Sequence, residues 1–526
     1  MNLLEQKIRE FACQQSQKIA VQGDNITLDY QGLVTEIETL SSIPGFLSAQ
    51  KYHSYAIIMD NHPAWAVLDL ALMFNKQCAV PLPKFFSIEQ LKHSLIDSQV
   101  EHLIIDESQL TSQLIKQLDQ VILGHESLQI AGKKLSWYRL DKTLSHLKSD
   151  NPPVAKITYT SGTTDKPKGV LLSEDTIITK VVSLASASEA NENDIALSIL
   201  PLSTLLENIG GLYVPLFCGA TVTLLSPQRI GISGSSQIDP QKILHTIQNY
   251  KPTAFIIIPQ LLQLLIKAVQ DGHKLPDSIR FIAMGGAPVS RHLLDIASQL
   301  EIPVFEGYGL SEAASVVAVN NPSTNRLGSV GKVLDSHQLK ISEEGEIYVK
   351  NHLFSGYLGQ KGSVPEAFYS TGDIGKLDDE GFLYITGRKK NIINTSYGRN
   401  ISPEWIEKEL EAIPQIAQCL VYGHGKPYLV ALLVLRDVVE TGSGSDKQSL
   451  DSLNAESIPA ALKKLNAQLP DYARVIDFIV TDKPFNIQNN QLTGTGRPRR
   501  AVIYQAYQDR LEQCYAQVND MNGETM

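Results

Sequence analysis

Residues 158–169 read TYTSGTTDKPKG, a run of hydroxyl side chains, glycines and lysines that follows an apolar segment. Glycine lets the backbone approach an anion closely, and consecutive backbone N–H groups can then wrap phosphate oxygens. No Lys-Ser or Lys-Thr pair closes the run, so it differs from the GxxxxGK[ST] phosphate loop. We therefore predict an incoming strand at residues 157–160, followed by a phosphate-binding loop. A polar surface hairpin is the alternative.

The strand before this loop is one of many short apolar segments. The apolar segments at 55–59, 102–105, 254–258 and 281–284 are rich in β-branched residues. Helix-like segments separate several of them. This alternation predicts α/β layers with largely parallel sheets. After about residue 334, hairpin-like strands at 345–350 and 381–385 indicate a small β-rich unit.

The length of the chain bears on its domain number. A chain of 526 residues is too long for one hydrophobic core. We place a boundary at 388–390, which gives an N-terminal domain of residues 1–388 and a C-terminal domain of residues 389–526. The predicted fold class is α/β, with layered sheets and a β-rich subdomain in the large domain and a small α+β domain after it.

Composition excludes several classes of protein. Hydrophobic residues make up 43% and charged residues 19%, as in ordinary globular proteins, and the net charge of −10 argues against a general nucleic-acid binder. The five cysteines form no CxxC pair and are read as unpaired thiols. No signal peptide or transmembrane stretch is recognised, and residues 64–74, interrupted by Asp69, are predicted to be a buried helix. We expect a cytoplasmic enzyme, with peripheral membrane contact left open.

Several further motifs carry side chains suited to a nucleotide. In GYGLSE at 307–312, a flat Tyr308 ring can stack on a base and the Glu312 carboxylate is a hard ligand for Mg²⁺. The other motifs are MGGAP at 284–288, STGD at 370–373, GRKK at 387–390, the loop at 395–404 and LTGTGRPRR at 492–500. Each alone would be read as a turn, a capped helix start or a solvated basic face.

Their order along the chain resembles that of the adenylate-forming superfamily, which includes acyl-CoA synthetases, peptide-synthetase adenylation domains and luciferases. The chain is most similar to long-chain fatty acid–CoA ligases. The resemblance implies ATP and Mg²⁺ as cofactors, with Glu312 as the metal ligand. It implies a nucleotide site made of Thr160, Ser161, Gly162, Thr163, Thr164, Lys168, Gly286, Ala287, Pro288, Tyr308, Gly309, Ser311, Asp373, Arg388 and Gly398.

Within that set the resemblance assigns particular roles. Thr163, Lys168, Glu312 and Arg497 are the expected catalytic residues, and Asp373 with Arg388 is the expected ribose-binding pair. Lys390 occupies the hinge about which the mobile C-terminal domain of the family rotates. That rotation would bring Gly398 to the active site, along the channel for pantetheine.

Two positions depart from the family pattern. Arg497 stands where a lysine usually bridges the acid and the α-phosphate, and Thr204 replaces a histidine in the segment that lines the acyl pocket. Arginine keeps the charge but is planar and forked. Adenylation is therefore either supported with altered geometry or weakened. Alternatively, the cluster of Arg497, Arg499 and Arg500 would contact the phosphates of CoA or an acidic carrier protein.

The predicted activity is ATP-dependent conversion of a carboxylic acid to an acyl-adenylate, followed by transfer to the thiol of CoA. This makes the protein an AMP-forming acid–thiol ligase. A fatty or other apolar acid is favoured, because Gly285, Ala313 and Ala314 are small enough to permit a deep slot. One alternative is an acyl-carrier-protein ligase that loads the phosphopantetheine of a partner, and another is a weakened ATP- or acyl-binding homologue. A luciferase-like oxygenase is disfavoured.

Overall fold

Short apolar strands build two large sheets, on whose faces helices pack. The computed structural model describes residues 1–47, 51–141, 154–160, 167–233, 237–287, 289–360, 367–436, 438, 457–486, 489–492 and 497–523. Among these residues, the helices are too short or too polar to span a bilayer.

The first large sheet has nine strands, and its central strands are parallel. In spatial order they are Lys332–Val333, Ala318–Val319, Val304–Tyr308, Phe281–Met284, Ala254–Ile257, Ile195–Leu197, Thr221–Thr223, Ile19–Gln22 and Thr27–Asp29. Both edges of the sheet are antiparallel. Since parallel strands end at the same edge of a sheet, the segments after Met284 and Tyr308 lie side by side.

The second large sheet has eight strands and contains the hairpin that flanks the phosphate loop. In spatial order its strands are Gly356–Tyr357, Lys168–Ser173, Val154–Thr160, Cys78–Pro81, Ser54–Ile58, His102–Ile105, Lys133–Leu140 and Ile122–Ile130. A two-stranded ribbon, Ile232–Ser233 with Gln237–Ile238, lies outside both sheets.

Two smaller β units follow. An antiparallel sheet consists of Gln338–Ile341, Glu346–Lys350, Tyr369–Leu377 and Leu383–Arg388. Beyond it, Ile416–Tyr422, Leu429–Leu435 and Val475–Val480 form a mixed sheet, preceded by the pair Ile393–Asn394 and Asn400–Ile401. The mixed sheet packs on its own helices around a separate hydrophobic core, which contains residues between Ile393 and Tyr515.

The helices pack on these sheets. In chain order the α-helices are Leu3–Gln14, Tyr30–Ser41, Pro63–Phe74, Ile88–Asp97, Gln109–Leu118, Glu174–Ala187, Val214–Phe217, Pro227–Ile230, Pro240–Tyr250, Pro259–Gln270, Arg291–Gln299, Pro403–Glu411, Ser457–Asn466, Arg500–Ala506 and Gln508–Gly523. Short 3₁₀ turns occur at Asp119–Val121, Ser311–Ala313, Lys389–Asn391 and Asp471–Ala473, and Glu207–Tyr213 is a π-helix.

The predicted strands agree with the structure to within three residues, and the helix at Pro63–Phe74 is buried along most of its length, as expected. Ser402 precedes the helix Pro403–Glu411, but its side chain makes no capping bond to the backbone. Its hydroxyl donates instead to the Glu404 carboxylate, at 3.0 Å. The glycine- and serine-rich loop at 441–445 lies outside the described residues.

Candidate active site

The strands Val154–Thr160 and Lys168–Ser173 pair antiparallel, with Thr160 opposite Lys168. Both residues line a cavity of about 2640 Å³ between the large sheets and the C-terminal unit. The Lys168 ammonium lies 5.7 Å from the centre of the Tyr357 ring. The ends of the predicted phosphate loop therefore open into the cavity. The predicted site residues within the loop, Ser161, Gly162, Thr163 and Thr164, lie outside the described residues.

The GYGLSE motif lies at the end of the strand Val304–Tyr308, where it meets the STGD and GRKK motifs. The Tyr308 hydroxyl donates to Asp373 Oδ2 at 2.7 Å, and Arg388 Nε lies 2.8 Å from Asp373 Oδ1. Asp373 and Arg388 are cross-strand partners in the four-stranded sheet. Burial, reinforced by the Asp373 charge, raises the pKa of Tyr308, so the phenol stays protonated and keeps donating.

Backbone crowding explains the glycine in the centre of this motif. A Cβ on Gly309 would lie 1.5 Å from the Ser315 carbonyl oxygen, which leaves no room for a side chain. Ala314 and Ser315 both have positive φ, at 50° and 89°, so the chain doubles back tightly after Glu312. This tight turn leaves Gly309, Ser311 and Glu312 on the cavity wall.

Glu312 is held by an aromatic neighbour. The Tyr357 hydroxyl donates to Glu312 Oε1 at 2.6 Å and lies 3.1 Å from the Tyr369 hydroxyl. Burial and the Glu312 carboxylate both raise the pKa of Tyr357, which keeps this donor protonated. Glu312 therefore presents an oriented carboxylate to the same cavity as Lys168. A hard oxygen ligand in this position fits Mg²⁺.

The MGGAP motif lies beside the GYGLSE motif, because the strands Phe281–Met284 and Val304–Tyr308 are neighbours in the sheet. Gly286 has a φ of 83°, a conformation that glycine adopts without strain, and Gly285, Gly286 and Ala287 line the cavity. A guanidinium from the C-terminal end of the chain contacts this turn, since Arg497 Nη2 donates to the Gly286 carbonyl at 3.3 Å. Pro288 lies outside the described residues.

The cavity thus contains groups drawn from distant parts of the chain. The family model for AMP-binding enzymes matches residues 8–358, and the model for the AMP-binding enzyme C-terminal domain matches residues 390–519. The chain belongs to the AMP-binding enzyme family. Membership confirms the superfamily that the ordered motifs predicted.

Three proteins illustrate what this AMP-binding enzyme resembles. The long-chain-fatty-acid–CoA ligase FadD15 of Mycobacterium bovis is 25% identical, with 86% of each chain covered. The 2-succinylbenzoate–CoA ligase of Bacillus subtilis is 29% identical over 82% of this chain and 88% of the relative. The structure of o-succinylbenzoate CoA synthetase from Bacillus subtilis, bound to its acyl-adenylate intermediate, matches with a TM-score of 0.73 at 24% identity, covering 95% of this chain and 97% of that one.

These similarities confirm two predictions. The fold is that of a large N-terminal α/β domain followed by a smaller C-terminal domain. The protein is an enzyme of the AMP-forming acid–thiol ligase type. The boundary between residues 388 and 389 stays a prediction, as do the roles of individual site residues.

The predicted hinge and glycine loop lie at different distances from the site. Lys390 is in the 3₁₀ turn Lys389–Asn391 and lines the cavity. Gly398 lies in a turn closed by its N–H donating to the Thr395 carbonyl at 2.9 Å, and it is not among the described lining residues. Its neighbour Tyr397 is 76% exposed. Placing Gly398 at the active site therefore requires the domain rotation that the resemblance implies.

The three arginines of the basic cluster near the end of the chain, Arg497, Arg499 and Arg500, all line the cavity. Arg500 makes two hydrogen bonds to the Glu407 carboxylate, at 2.6 and 2.7 Å, and one to Glu404 at 3.3 Å. These bonds join the helix Arg500–Ala506 to the helix Pro403–Glu411 in the C-terminal domain. The expectation that the cluster contacts the phosphates of CoA or of a carrier protein stays a prediction.

Two contributors to the cavity were missed from sequence. Tyr357 carries no motif of its own, and only the pairing of Gly356–Tyr357 with the strand Lys168–Ser173 brings it to Glu312. Glu306 directly precedes the GYGLSE motif and also lines the cavity. Burial raises the pKa of Glu306 to about 7, although the nearby Lys408 favours the charged form. From the sequence, Glu306 could have been noticed as an acidic residue directly before the motif.

A group of potential metal ligands lies at the start of the interior strands Ser54–Ile58 and His102–Ile105 of the eight-stranded sheet. His53, Glu101 and His102 bring ligand atoms within 4.8 Å of one another. Trp137 Nε1 donates to His102 Nδ1 at 3.0 Å, which places the proton of a neutral ring on Nε2. If a metal bound Nε2, the proton of the neutral ring would have to lie on Nδ1, where it would face the N–H group of Trp137. The cluster therefore fits a hydrogen-bonded chain better than a metal site.

Proposed function

We propose that this enzyme joins a carboxylic acid to the α-phosphate of ATP, releases pyrophosphate, and transfers the acyl group to the thiol of CoA. One observation carries the proposal. Asp373, held between Tyr308 and Arg388, opens on the same cavity as Lys168, Glu312 and Arg497. This set provides hydrogen-bond acceptors for a ribose on one side and charged groups for a triphosphate on the other.

Each side chain then has a defined role in the first reaction. Asp373 accepts hydrogen bonds from the ribose hydroxyls, with Arg388 beside it, and Tyr308 lies against the adenine. Lys168 neutralises charge on the β- and γ-phosphates, and the hydroxyls of the phosphate loop donate hydrogen bonds to them. Glu312 would hold Mg²⁺, which supplies charge neutralisation when bound. Arg497 attracts both the acid and the α-phosphate.

The chemistry needs no covalent attachment to the protein. A carboxylate oxygen attacks the α-phosphorus, the bond to the bridging oxygen breaks, and pyrophosphate leaves with the electron pair. A thiolate then attacks the acyl carbon and AMP leaves. Positioning and charge neutralisation provide the rate enhancement in such reactions, which agrees with a site built from hydroxyls, cations and the carboxylates of Asp373 and Glu312.

A fatty or other apolar acid is the proposed substrate. The cavity continues beside the nine-stranded sheet along apolar side chains, including Leu184, Val214, Ile256, Phe281 and Val316. Gly285 lines this path, whereas Ala313 and Ala314 are buried away from it, so the expected contribution of those two alanines is wrong. The fatty-acid ligase relative agrees with an aliphatic acid, and the 2-succinylbenzoate ligase makes an aromatic acid the second candidate.

CoA is the proposed acceptor because the relatives are named as CoA ligases. A carrier protein is the competing acceptor. Incubation with ATP, acid and either free CoA or holo-carrier protein separates the two. Formation of acyl-CoA supports the proposal, and acylation of the carrier protein alone contradicts it.

The first experiment is ATP–pyrophosphate exchange against a panel of acids. The panel contains saturated fatty acids of increasing length, 2-succinylbenzoate and simple aromatic acids, each with and without Mg²⁺. We expect Mg²⁺-dependent exchange that is strongest with fatty acids. Tight ATP binding without exchange for any acid would identify a homologue that has lost adenylation.

A further inference from the structure

Four polar side chains form a cluster that is shut off from water behind the cavity. Lys156 Nζ donates to Asp69 Oδ1 and Oδ2 at 2.9 and 3.0 Å, to Asn208 Oδ1 at 2.5 Å and to the Tyr213 hydroxyl at 2.9 Å. Asn208 Nδ2 and the Tyr213 hydroxyl both donate to Asp69 Oδ2. All four residues are at most 1% exposed. We call this group the Lys156 cluster.

The cluster joins three elements that also shape the active site. Lys156 lies on the strand Val154–Thr160, and alternation places it on the same face as Thr158 and Thr160, which line the cavity. Asp69 comes from the buried helix Pro63–Phe74. Asn208 and Tyr213 belong to the π-helix Glu207–Tyr213.

The π-helix has two functional faces. Asn208 and Tyr213 point into the Lys156 cluster, while Gly210 and Gly211 line the cavity together with Leu206 just before the helix. A Cβ on Gly210 would lie 3.0 Å from Ile256, another lining residue. Any rotation of this helix would therefore change the shape of the apolar path beside the nine-stranded sheet.

A π-helix needs support from its surroundings. Its wider turn is rarely adopted and is most often found at functional sites. A buried ion pair is a costly way to gain stability, because apolar residues of similar volume are often as stable or more so. Such a pair does fix geometry, since each partner must keep its hydrogen bonds or lie unpaired in a low dielectric. In the Lys156 cluster those bonds end on the π-helix.

We propose that Lys156 and Asp69 are positioning residues for the acid substrate. By binding Asn208 and Tyr213, they hold the π-helix in the register that presents Leu206, Gly210 and Gly211 to the acyl group. The inference rests on the proposed function, because it assumes that an acid occupies this path. We do not expect ATP binding to depend on the cluster, because the strand Val154–Thr160 is held by both neighbouring strands of the sheet.

The test removes the link to the π-helix and leaves the buried charges paired. Asn208→Leu and, more mildly, Tyr213→Phe do this, because the Lys156–Asp69 pair stays intact. We expect the KM for the acid to rise about tenfold in Asn208→Leu and about threefold in Tyr213→Phe. The KM for ATP and the kcat at saturating acid should stay within about twofold.

The matched control is Gln77→Met. Gln77 is a buried amide, 2% exposed, that bonds the His53 N–H and the Lys51 carbonyl, and none of these residues is among those lining the cavity. Gln77→Met should lower the melting temperature by about as much as Asn208→Leu does. It should leave the KM values for the acid and for ATP unchanged. The double variant Lys156→Met/Asp69→Leu removes both charges together, and it should repeat the effect of Asn208→Leu on the acid.

The outcomes separate this inference from the proposed function. A wild-type protein that exchanges pyrophosphate with no acid contradicts the proposed function itself. A wild-type protein that does exchange, with variants whose KM values for acid and ATP rise together or not at all, overturns the positioning role only. If Asn208→Leu does not fold, the selective change in Tyr213→Phe decides the question.

Discussion

The two sides of the cleft are built differently. On the N-terminal side, Asp373 is 3% exposed and receives bonds of 2.7 and 2.8 Å from Tyr308 and Arg388. On the C-terminal side, Arg497 is exposed and reaches Gly286 over 3.3 Å. The Asp373 side is therefore organised before ligands bind, whereas Arg497, the cation proposed for adenylation, comes from the C-terminal part of the chain. Preorganisation on one side leaves the other free to change between the two half-reactions.

The largest expected effect tests the preorganised side. Asp373→Asn removes the charge that binds Arg388 and an acceptor proposed for the ribose. Pyrophosphate exchange should fall by about 10²–10³, as for the loss of a preorganised polar contact. The exposed Asp379→Asn, six residues away, is the control and should keep full activity. Near-normal exchange in Asp373→Asn would mean that the buried trio is structural only.

A smaller loss is expected at Glu312. Glu312→Gln keeps the volume and can still accept from Tyr357, but it loses the charge that favours Mg²⁺. We expect exchange to fall about 100-fold and the Mg²⁺ concentration for half-maximal activity to rise. Glu343→Gln, an exposed carboxylate outside the cavity, is the control. An unchanged Mg²⁺ dependence would remove Glu312 from the metal site.

The mobile side is tested by Arg497→Lys. A lysine is a compact charge that the family uses at this position, so pyrophosphate exchange should rise about threefold to tenfold if the forked guanidinium weakens adenylation. Transfer to CoA from a preformed acyl-adenylate should not change. Arg399→Lys, on the surface of the same domain beside Tyr472, provides the comparison. A fall in exchange would show that arginine is the better group here.

The smallest effect concerns the interior of the N-terminal side. Burial raises the pKa of Glu207 to about 8, so the folded protein keeps a proton that the unfolded chain releases near 4.5. This difference makes the folded state lose stability as pH rises from about 4.5 to about 8, with no further loss above that range. Glu207→Gln removes the ionisation. Its melting temperature should equal that of the wild type at pH 4.5 and exceed it by about 2–4 °C at pH 8.

An equal difference at both pH values would contradict this account of Glu207. Glu344→Gln, an exposed carboxylate on the same domain, should show no comparable change with pH.

Most of the fold was predictable because its strands are continuous apolar runs bounded by turn residues. The segments His102–Ile105 and Phe281–Met284 match residue for residue. The relation between Asp373 and Arg388 was also predictable, although only the resemblance, and not the chemistry of either motif, placed them together. Their cross-strand pairing is the physical basis of that relation.

The remaining features depend on contacts between distant segments. Tyr357 reaches Glu312 through the pairing of two strands that are far apart in sequence. Asp69 interrupted an apolar run and was read correctly as buried, but its partner Lys156 lies 87 residues away. The small alanines after Glu312 suggested an open slot, whereas the positive φ values at residues 314 and 315 turn the chain into the core. Composition alone does not reveal where such a turn points.

The anchoring of Lys389 has a consequence for measuring domain motion. Its ammonium lies 2.9 Å from Glu344 and 2.8 Å from Glu346, so this residue is tied to the four-stranded sheet although the next one is the predicted hinge. Any swivel of the C-terminal domain should then begin after Lys389. A spectroscopic label attached before residue 389 would report a stationary frame, and one attached after residue 391 would report the full rotation. The five native cysteines would first need replacing, Cys13 above all, because it is the exposed thiol among them.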